Sequence, residues 1–369
     1  KTWNDQNDQD RKRPSMITVK LMKNGSEYRK QEVTEKDNWK YTFKDLPVYE
    51  KGQKITYTVA EVVSEDYSSK ANGYDLKNSY TPEKTSYSVV KLWDDADNQD
   101  GLRPASVKVQ LYADGSPEGN EAELNAANGF SYNWTGLDLK KNGKAITYTV
   151  KEITDIEGYT VSYQEDQESH KTTITNSHTP ATVDIPVSKT WSDADNQDGR
   201  RPGEITVKLL ANGNVVRTQR LSAGQADKEG NWSYTFTGLP EKEKGQKIVY
   251  TVTEEKVTGY ETTVAADGEN GFVIINSHTP ETTEVNGTKT WNDNRDKENA
   301  RPDSITVRVF DGDQEVASRT VTEDDNWTWN FTGLPKYKDG KEIRYTVAED
   351  HVPDYTTKVN GFNITNTYT

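Results

Sequence analysis

A lysine, a glutamate and an asparagine recur at matching places along the chain, each within an alternation of apolar residues. In the segment VSKTW, Lys189 lies between a valine and a tryptophan on the face that these residues would share in an extended strand. The same alternation places Glu254 of YTVTE and Asn276 of VIIN on apolar faces. Because a lysine is almost never fully buried without a partner, we expect the three side chains to meet in the interior.

Burial would change the chemistry of such a set. Desolvation favours the neutral amine of a lysine and the protonated acid of a glutamate. A neutral amine is a nucleophile, and an asparagine amide is an electrophile that a protonated glutamate can polarise. Attack with loss of ammonia would leave a Lys–Asn isopeptide bond, in a single-turnover reaction that consumes its own residues.

The alternative is an inert buried Lys–Glu ion pair that is hydrogen-bonded to the asparagine. Breaking such a pair is costly, but keeping it adds little stability over apolar residues of similar size. Stability alone therefore does not explain the recurrence of the set.

Four copies of one sequence pattern place these residues. The segment KTWNDQNDQDRKRP at Lys1 returns as KLWDDADNQDGLRP at Lys91, KTWSDADNQDGRRP at Lys189 and KTWNDNRDKENARP at Lys289. Self-similarity of this kind predicts four tandem domains. We name them repeat 1 (residues 1–82, with the start of its first strand missing), repeat 2 (residues 83–180), repeat 3 (residues 181–280) and repeat 4 (residues 281–369).

Each repeat contains the same set of three polar residues. The predicted cross-linked pairs are Lys1 with Asn78, Lys91 with Asn176, Lys189 with Asn276, and Lys289 with Asn366. The acids predicted to promote the reaction are Glu61, Glu152, Glu254 and Glu349. The lysine and asparagine of a pair are 77, 85, 87 and 77 positions apart in the four repeats, so one bond would close nearly a whole domain.

Short strands separated by turns are predicted within every repeat. An alternating run such as ITVKLMKNG ends at an Asn-Gly or Asp-Gly turn, which is typical of a hairpin. An aromatic alternation follows, for example Trp232, Tyr234 and Phe236, and then a Gly-Leu-Pro or Asp-Leu turn. Helical periodicity is missing from the sequence, so we predict an all-β sandwich for each repeat.

Composition narrows the classes of function. Lys and Arg number 46 against 60 Asp and Glu, and the net charge of -14 argues against a nucleic-acid partner. The absence of cysteine excludes disulfides and thiolate metal sites. No apolar run reaches the roughly 18 residues of a membrane helix. No signal peptide opens the sequence and Lys1 falls in mid-strand, so we expect targeting and anchoring segments to lie outside it.

Other candidate sites are weaker. The segment DADNQDG at Asp95 and Asp193 resembles a calcium loop, but its glycine comes one place late. Glu204 stands at the last ligand position in repeat 3, where the other copies have Met or Ser. We therefore expect a solvated acidic loop, and we expect His178 and His278 to be polar surface residues. No metal or cofactor site is predicted.

The pattern KTW…DNQDG.RP…ITVKL.ANG…W.Y.F.GLP…YTV.E…ITN resembles the B-type repeat domains of collagen-adhesin surface proteins of Gram-positive bacteria, the CNA-B family. The resemblance covers essentially the whole chain. It implies four tandem inverse immunoglobulin-like β-sandwich domains that form an elongated rod, with the isopeptide bonds assigned above. It also implies an extracellular, cell-wall-anchored stalk that projects a ligand-binding head. The head and the anchor would lie outside this sequence, and a host matrix protein would bind through the head.

Two further classes of function are open at this stage. The repeats could themselves bind a host extracellular-matrix protein through loops such as DNQDG, although these loops display little apolar or aromatic surface. An enzyme acting on an outside substrate is disfavoured, because the Lys, Glu and Asn chemistry turns over once and a catalytic site does not need four copies.

Overall fold

The computed structural model describes residues 1–226, 228, 230–296 and 298–369. These residues form strands and turns with a few short 3₁₀ segments, which confirms the all-β prediction. None of the helical segments in the described ranges is long and apolar enough to cross a membrane. The chain divides into two compact units, Lys1–Pro180 and Ala181–Thr369.

The first unit contains repeats 1 and 2. The strands of repeat 1 are β1 (Thr2–Asn4), β2 (Met16–Lys23), β3 (Ser26–Thr34), β4 (Tyr49–Glu50), β5 (Gln53–Lys54), β6 (Tyr57–Val62), β7 (Ser68–Asn72) and β8 (Asp75–Ser79). Those of repeat 2 are β9 (Lys84–Asp94), β10 (Ser106–Ala113), β11 (Ser116–Asn125), β12 (Ser131–Asp138), β13 (Lys140–Lys141), β14 (Lys144–Ala145), β15 (Tyr148–Glu152), β16 (Thr160–Asp166) and β17 (Lys171–Ser177). Short 3₁₀ segments cover Glu35–Asp37 and Ala126–Asn128.

The second unit contains repeats 3 and 4. The strands of repeat 3 are β18 (Thr182–Ser192), β19 (Glu204–Ala211), β20 (Asn214–Ser222), β21 (Trp232–Pro240), β22 (Lys242–Glu243), β23 (Gln246–Lys247), β24 (Tyr250–Glu254), β25 (Glu261–Asp267) and β26 (Gly271–Ser277). Those of repeat 4 are β27 (Thr282–Asn292), β28 (Ser304–Asp311), β29 (Gln314–Thr322), β30 (Thr328–Pro335), β31 (Tyr337–Lys338), β32 (Lys341–Glu342), β33 (Tyr345–Glu349), β34 (Tyr355–Asn360) and β35 (Asn363–Tyr368). A 3₁₀ segment covers Ala223–Gln225.

Two packed sheets make up the sandwich of each repeat. In repeat 3 one sheet has the strand order β21-β18-β26-β25 and the other has the order β20-β19-β24. Repeats 2 and 4 show the same orders with their equivalent strands. The first strand of a repeat runs parallel to its last strand, as β18 does to β26, and antiparallel to the aromatic strand β21. The two ends of a repeat are therefore neighbours in one sheet.

The core lies between the two sheets and follows the alternation seen in the sequence. In β19 the residues Ile205, Val207 and Leu209 are buried, while their neighbours along the strand are more exposed. They pack with Val187 and Ile274 of the opposite sheet. Because successive strand residues point to opposite faces, one face of each sheet supplies the apolar interior.

The Gly-Leu-Pro segments differ from the prediction. The sequence predicts a turn there, but β12, β21 and β30 continue through these residues. The pairing register of each strand shifts at this point, and Gly136, Gly238 and Gly333 have φ values of 69°, 64° and 70°. Glycine adopts a left-handed conformation without strain, so a β-bulge bends the strand instead of ending it.

Within the first unit, a loop of repeat 1 contacts repeat 2. The backbone N–H of Gly143 donates to the carbonyl of Gln9 at 2.9 Å. The Asp10 carboxylate accepts from the backbone N–H of Glu83 at 3.0 Å and from the Tyr80 hydroxyl at 2.8 Å. One carboxylate thus joins the end of repeat 1 to the connecting segment.

The second unit has the same arrangement between repeats 3 and 4. The N–H of Gly340 donates to the carbonyl of Gln197 at 3.0 Å, and the N–H of Glu281 donates to Asp198 at 2.8 Å. Nε2 of His278 lies 2.8 Å from the same carboxylate. The prediction that His178 and His278 are polar surface residues therefore needs correction for both. Their side chains are only 14% and 12% exposed, and each ring contacts an aspartate of its own repeat, Asp100 and Asp198.

Candidate functional site

The three polar residues of each repeat lie on strands that the fold brings together. In repeat 3, Lys189 of β18 and Asn276 of β26 lie on neighbouring parallel strands, where Trp191 is the register partner of Asn276. Glu254 ends β24 and belongs to the opposite sheet, where it pairs with Val207. The lysine and asparagine therefore approach from one sheet, and the glutamate faces them from the other.

All twelve side chains of the four sets are buried. The lysine side chains are 0–2% exposed, and the glutamate side chains are 0–3% exposed. The four asparagines are 0–1% exposed as whole residues. The sequence therefore located these residues correctly in the interior, while their roles in a reaction stay a prediction.

In repeats 1 and 4, the lysine contacts the glutamate directly. Nζ of Lys1 donates to Oε2 of Glu61 at 2.6 Å. Nζ of Lys289 donates to Oε1 of Glu349 in the same way. A direct hydrogen bond of this kind is a path for a proton between the ammonium and the carboxylate.

In repeats 2 and 3, the amine lies farther from the acid. Nζ of Lys91 donates to the carbonyl of Leu92 at 2.9 Å and is 3.8 Å from Glu152. Nζ of Lys189 makes the equivalent bond to the next carbonyl at 2.9 Å and is 3.9 Å from Glu254. Both amines sit over the indole of the following tryptophan, with Nζ 3.7 and 3.8 Å from the ring centroid.

The asparagine amides are incompletely hydrogen-bonded. Nδ2 of Asn78 donates to Glu61 at 2.9 Å, and Nδ2 of Asn176 donates to Glu152 at 2.8 Å. For Asn276 and Asn366, neither amide atom has a hydrogen-bond partner among the described residues, and the Oδ1 atoms of Asn78 and Asn176 are likewise unpartnered there. A buried polar atom without a partner costs about 1–3 kcal/mol, so four such amides need an explanation.

Burial moves the titration of these groups toward their neutral forms. Desolvation lowers the pKa of Lys91 and of Lys189 to about 8, against the attraction of their glutamates. Desolvation also lowers the pKa of Lys1 and Lys289 and raises the pKa of Glu152. A neutral amine beside a protonated acid is thus more accessible here than in water.

A second buried charged cluster lies beside each set, and strand alternation does not predict it. In repeat 3 the Asp193 carboxylate accepts from Arg201 at 2.6 and 3.1 Å, from the Tyr260 hydroxyl at 2.8 Å and from the backbone N–H of Asn196 at 3.0 Å. The guanidinium carbon lies 5.4 Å from the centroid of the Trp191 ring, which the amine of the set also contacts. The two clusters therefore share one tryptophan.

The same aspartate cluster occurs in every repeat and corrects the prediction of a solvated acidic loop. The aspartates are held by Arg–Tyr pairs, namely Asp5 by Arg13 and Tyr67, Asp95 by Arg103 and Tyr159, Asp193 by Arg201 and Tyr260, and Asp293 by Arg301 and Tyr355. The first three aspartates are 2% exposed. The signal was present in the sequence, since Asp follows the lysine by four positions and Arg by twelve in all four copies.

Metal binding finds no support in these loops. In the described part of the chain, no group of three or more His, Asp or Glu side chains is arranged to hold a metal ion. Both oxygens of Asp193, the first residue of the calcium-like segment, already accept from Arg201, and Oδ2 also accepts from Tyr260. The arrangement fits a structural ion pair rather than a ligand site.

The fold and the recurring buried set define a tandem array of β-sandwich domains with a Lys, Glu and Asn constellation in each. Comparison with known families then gives the class directly. The profile of the Cna protein B-type domain matches residues 1–79, 87–177, 185–277 and 285–367. The chain belongs to this family, which confirms the resemblance seen in the sequence.

The relatives include a curated protein and solved structures. The collagen adhesin of Staphylococcus aureus is 37% identical over 456 residues, and the match covers the whole of this chain and 38% of that protein. A crystal structure of two B repeat units of the S. aureus collagen-binding protein is 41% identical, with a TM-score of 0.49, and covers 100% of this chain and 98% of that one. A single B repeat unit is 45% identical, with a TM-score of 0.26, over 48% of this chain and 95% of that chain. The chain is thus a tandem repeat region of the kind that a surface adhesin contains.

Proposed function

We propose that each repeat forms an intramolecular isopeptide bond and that the chain is a cross-linked stalk segment of a Gram-positive surface adhesin. The observation that supports this most strongly is the fourfold recurrence of a buried lysine, glutamate and asparagine in which the amide oxygen has no partner among the described residues. The proposed bonds join Lys1 to Asn78, Lys91 to Asn176, Lys189 to Asn276, and Lys289 to Asn366. Glu61, Glu152, Glu254 and Glu349 are the proposed promoting acids.

The reaction balances within the residues of one repeat. In repeat 3, Lys189 gives one proton to Glu254, which leaves a neutral amine and a protonated carboxyl. Nζ then attacks Cγ of Asn276 while the carboxyl donates a hydrogen bond to Oδ1. The glutamate passes a proton from the attacking nitrogen to the amide nitrogen, which leaves as ammonia. One neutral secondary amide replaces an ammonium and a primary amide.

The geometry of the sites supports this chemistry. The contacts of Lys1 with Glu61 and of Lys289 with Glu349 provide the first proton transfer directly. The hydrogen bond between Asn176 and Glu152 links the amide to the acid. The amide nitrogen and oxygen of an asparagine occupy nearly the same volume, so the same contact suits a protonated glutamate that donates to Oδ1.

Such a bond would stabilise a repeat by restricting its unfolded state. By analogy with a disulfide that closes a loop of about 80 residues, the contribution is on the order of 4–5 kcal/mol. The bond would also join the first strand to the last strand, so a pull on the two ends would bypass the rest of the sandwich. We propose that the domains so closed are residues 1–82, 83–180, 181–280 and 281–369.

The biological setting follows from the family and from the collagen adhesin that this chain resembles. Because the chain spans 38% of that relative, the role of the whole protein is part of the proposal. The repeats would project a ligand-binding head from the cell wall, on the extracellular side. The head would bind a host matrix protein, and the cross-linking within the stalk would proceed once per site without turnover of any outside substrate.

The intact mass of the purified chain tests the proposal. If every site reacts, the mass is lower than the translated mass by four molecules of ammonia, and digestion yields four Lys–Asn linked peptide pairs. Glu254→Ala restores one ammonia and removes the linked pair of repeat 3 alone. The matched control is Glu255→Ala, because Glu255 is the next residue and forms an exposed ion pair with Lys208. A chain with its full translated mass would overturn the proposal.

A further inference from the structure

The residue opposite each asparagine on the neighbouring strand differs between the repeats. The last strand of a repeat pairs antiparallel with the strand before it, and this register places one residue directly across from the asparagine. The residues across from the asparagine are Ser69 in repeat 1, Val161 in repeat 2, Thr262 in repeat 3 and Thr357 in repeat 4. Three of the four carry a hydroxyl group.

Each hydroxyl reaches the glutamate of its own set. Ser69 donates to Oε2 of Glu61 at 3.1 Å, and Thr262 donates to Oε2 of Glu254 at 3.0 Å. Thr357 makes the equivalent bond to Oε2 of the repeat 4 glutamate at 3.1 Å. The strand at the edge of the sheet therefore supplies a fourth member to three of the sets.

Repeat 2 lacks this hydroxyl because a valine occupies the position. Oε2 of Glu152 is buried, and it has no hydrogen-bond partner among the residues that the structure describes. The valine is 46% exposed, so it is not required to fill the core. Its effect on the site is to remove a donor from the carboxyl group.

We propose that the residue opposite the asparagine is a positioning residue that sets where the shared proton lies, on the lysine or on the glutamate, and so sets the rate of bond formation in its repeat. This inference rests on the isopeptide chemistry proposed above. A hydroxyl that donates to Oε2 stabilises the carboxylate and holds the proton on the amine, which is the unreactive arrangement. Valine withdraws that support, so the proton moves more readily to the acid.

The state of Glu152 agrees with this assignment. Burial raises the pKa of Glu152, although the hydrogen bond from Asn176 and the charge of Lys91 oppose the change. Among the described residues, neither a backbone N–H nor another hydroxyl donates to Oε2 of Glu152 in place of the missing side chain. Glu254 also accepts a single hydrogen bond, from Thr262, whereas the one donor to Glu152 is the amide of Asn176 that would react. We therefore expect repeat 2 to cross-link faster than the three repeats that carry the hydroxyl.

The experiment exchanges the two side chains between repeats 2 and 3 in the full chain. Val161→Thr adds the hydroxyl to repeat 2, and Thr262→Val removes it from repeat 3. Both positions are exposed on edge strands, so folding should be little affected. Because urea does not break an isopeptide bond, the chains are produced as insoluble aggregates that have not folded and are dissolved in urea, and an initial mass spectrum checks that they are unlinked. The reaction starts on dilution into buffers from about pH 5 to about pH 9, which span the titrations of both groups. Linked peptides from each repeat are quantified against time by mass spectrometry.

A hydrogen bond to a charged group changes an equilibrium by about tenfold. Val161→Thr should therefore slow repeat 2 by about tenfold and move the acid side of its rate profile to lower pH by about one unit. Thr262→Val should do the opposite in repeat 3. Thr262→Ser keeps a hydroxyl, as repeat 1 does naturally, and should preserve the wild-type profile. Val161→Ala changes the packing without adding a hydrogen-bond donor, so the pH dependence of cross-linking in repeat 2 should stay as in the wild type.

The outcomes separate this inference from the function on which it rests. If all four bonds form but neither exchange changes a rate or a pH profile, the positioning role is wrong and the isopeptide proposal stands. If no linked peptide appears in any repeat, both fail together. Repeats 1 and 4 are unchanged in every variant, and their rates serve as internal standards.

Discussion

The two charged clusters beside Trp191 show how differently burial can be tolerated. The Asp193 carboxylate receives donors from an arginine, a tyrosine and the backbone, so its charge is well supported. In the neighbouring set, the amide of Asn276 has no partner among the described residues, and the Lys189 amine is 3.9 Å from its acid. A saturated cluster fits a structural role, and an unsaturated cluster of potential reactants fits a site at which a bond forms.

The same comparison explains why the clusters adjoin. The tryptophan ring covers the amine on one side of the interior and contacts the arginine of the aspartate cluster. A rigid, fully bonded neighbour fixes this ring, which keeps water from the amine. The stable cluster therefore maintains the dry surroundings in which the lysine loses its charge more readily.

The largest expected effect comes from removing both charged residues of the unsaturated cluster. The double variant Lys189→Met with Glu254→Met replaces both charges by apolar side chains. If the pair were inert, this change would leave stability unchanged or raise it. With a cross-link in the wild type, repeat 3 should instead lose on the order of 4–5 kcal/mol of unfolding free energy. Hydrogen exchange of the β18 and β26 amides in increasing urea measures the difference for this repeat alone.

A smaller loss is expected from opening the saturated cluster. Arg201→Met leaves the Asp193 carboxylate buried without its cation, and repeat 3 should lose about 3 kcal/mol, near the lower end for a broken buried pair because the arginine side chain is 22% exposed. Arg200→Met is the matched control, since Arg200 pairs with Glu281 at the surface and should cost less than 1 kcal/mol. The same hydrogen-exchange measurement is applied to both variants. Equal losses of unfolding free energy would contradict the structural role of the aspartate cluster.

The smallest expected effect is a loss of stability of repeat 2 at low pH. Desolvation of Asp95 opposes its ionisation, but hydrogen bonds from Arg103, Tyr159 and a backbone N–H outweigh it and lower its pKa to about 2. A depressed pKa contributes stability above the unfolded value of 3.8, and that contribution is lost as the pH falls toward 2. Repeat 2 should therefore lose about 2 kcal/mol between about pH 4 and pH 2. In the Asp95→Asn variant, the unfolding free energy of repeat 2 should change less between about pH 4 and pH 2. If the change is as large as in the wild type, other titrating groups cause it.

Strand alternation was sufficient to predict the buried set of lysine, glutamate and asparagine. Lys189, Glu254 and Asn276 each stand among apolar neighbours at a period of two, and this pattern encodes the face of a strand without reference to the rest of the fold. Repetition then argued against coincidence, because the same three residues recur in the same order after each KTW or KLW segment. The strand alternation and the repeated pattern also predicted the two-sheet sandwich and the family.

The aspartate cluster could not be predicted in the same way. Asp193 and Arg201 lie in a loop, where no alternation indicates which side chains are buried, and a run of acidic residues there usually faces water. Their third partner, Tyr260, is 67 positions away from the aspartate, so the contact depends on tertiary structure. The contrast between Lys289, which touches its acid, and Lys189, which does not, depends on small differences of packing that sequence patterns do not record.

The parallel pairing of the first and last strands has a further consequence. In repeat 3, the first strand β18 and the last strand β26 run in the same direction. Six register pairs join them, from Val187 with Phe272 to Ser192 with Ser277. Tension between the two ends of the repeat would therefore slide one strand along the other. In such a shear geometry the hydrogen bonds along the ladder bear the load together, whereas a hairpin pulled from its open end would unzip one bond at a time. We therefore expect the topology alone to make each repeat resist extension, independently of any cross-link.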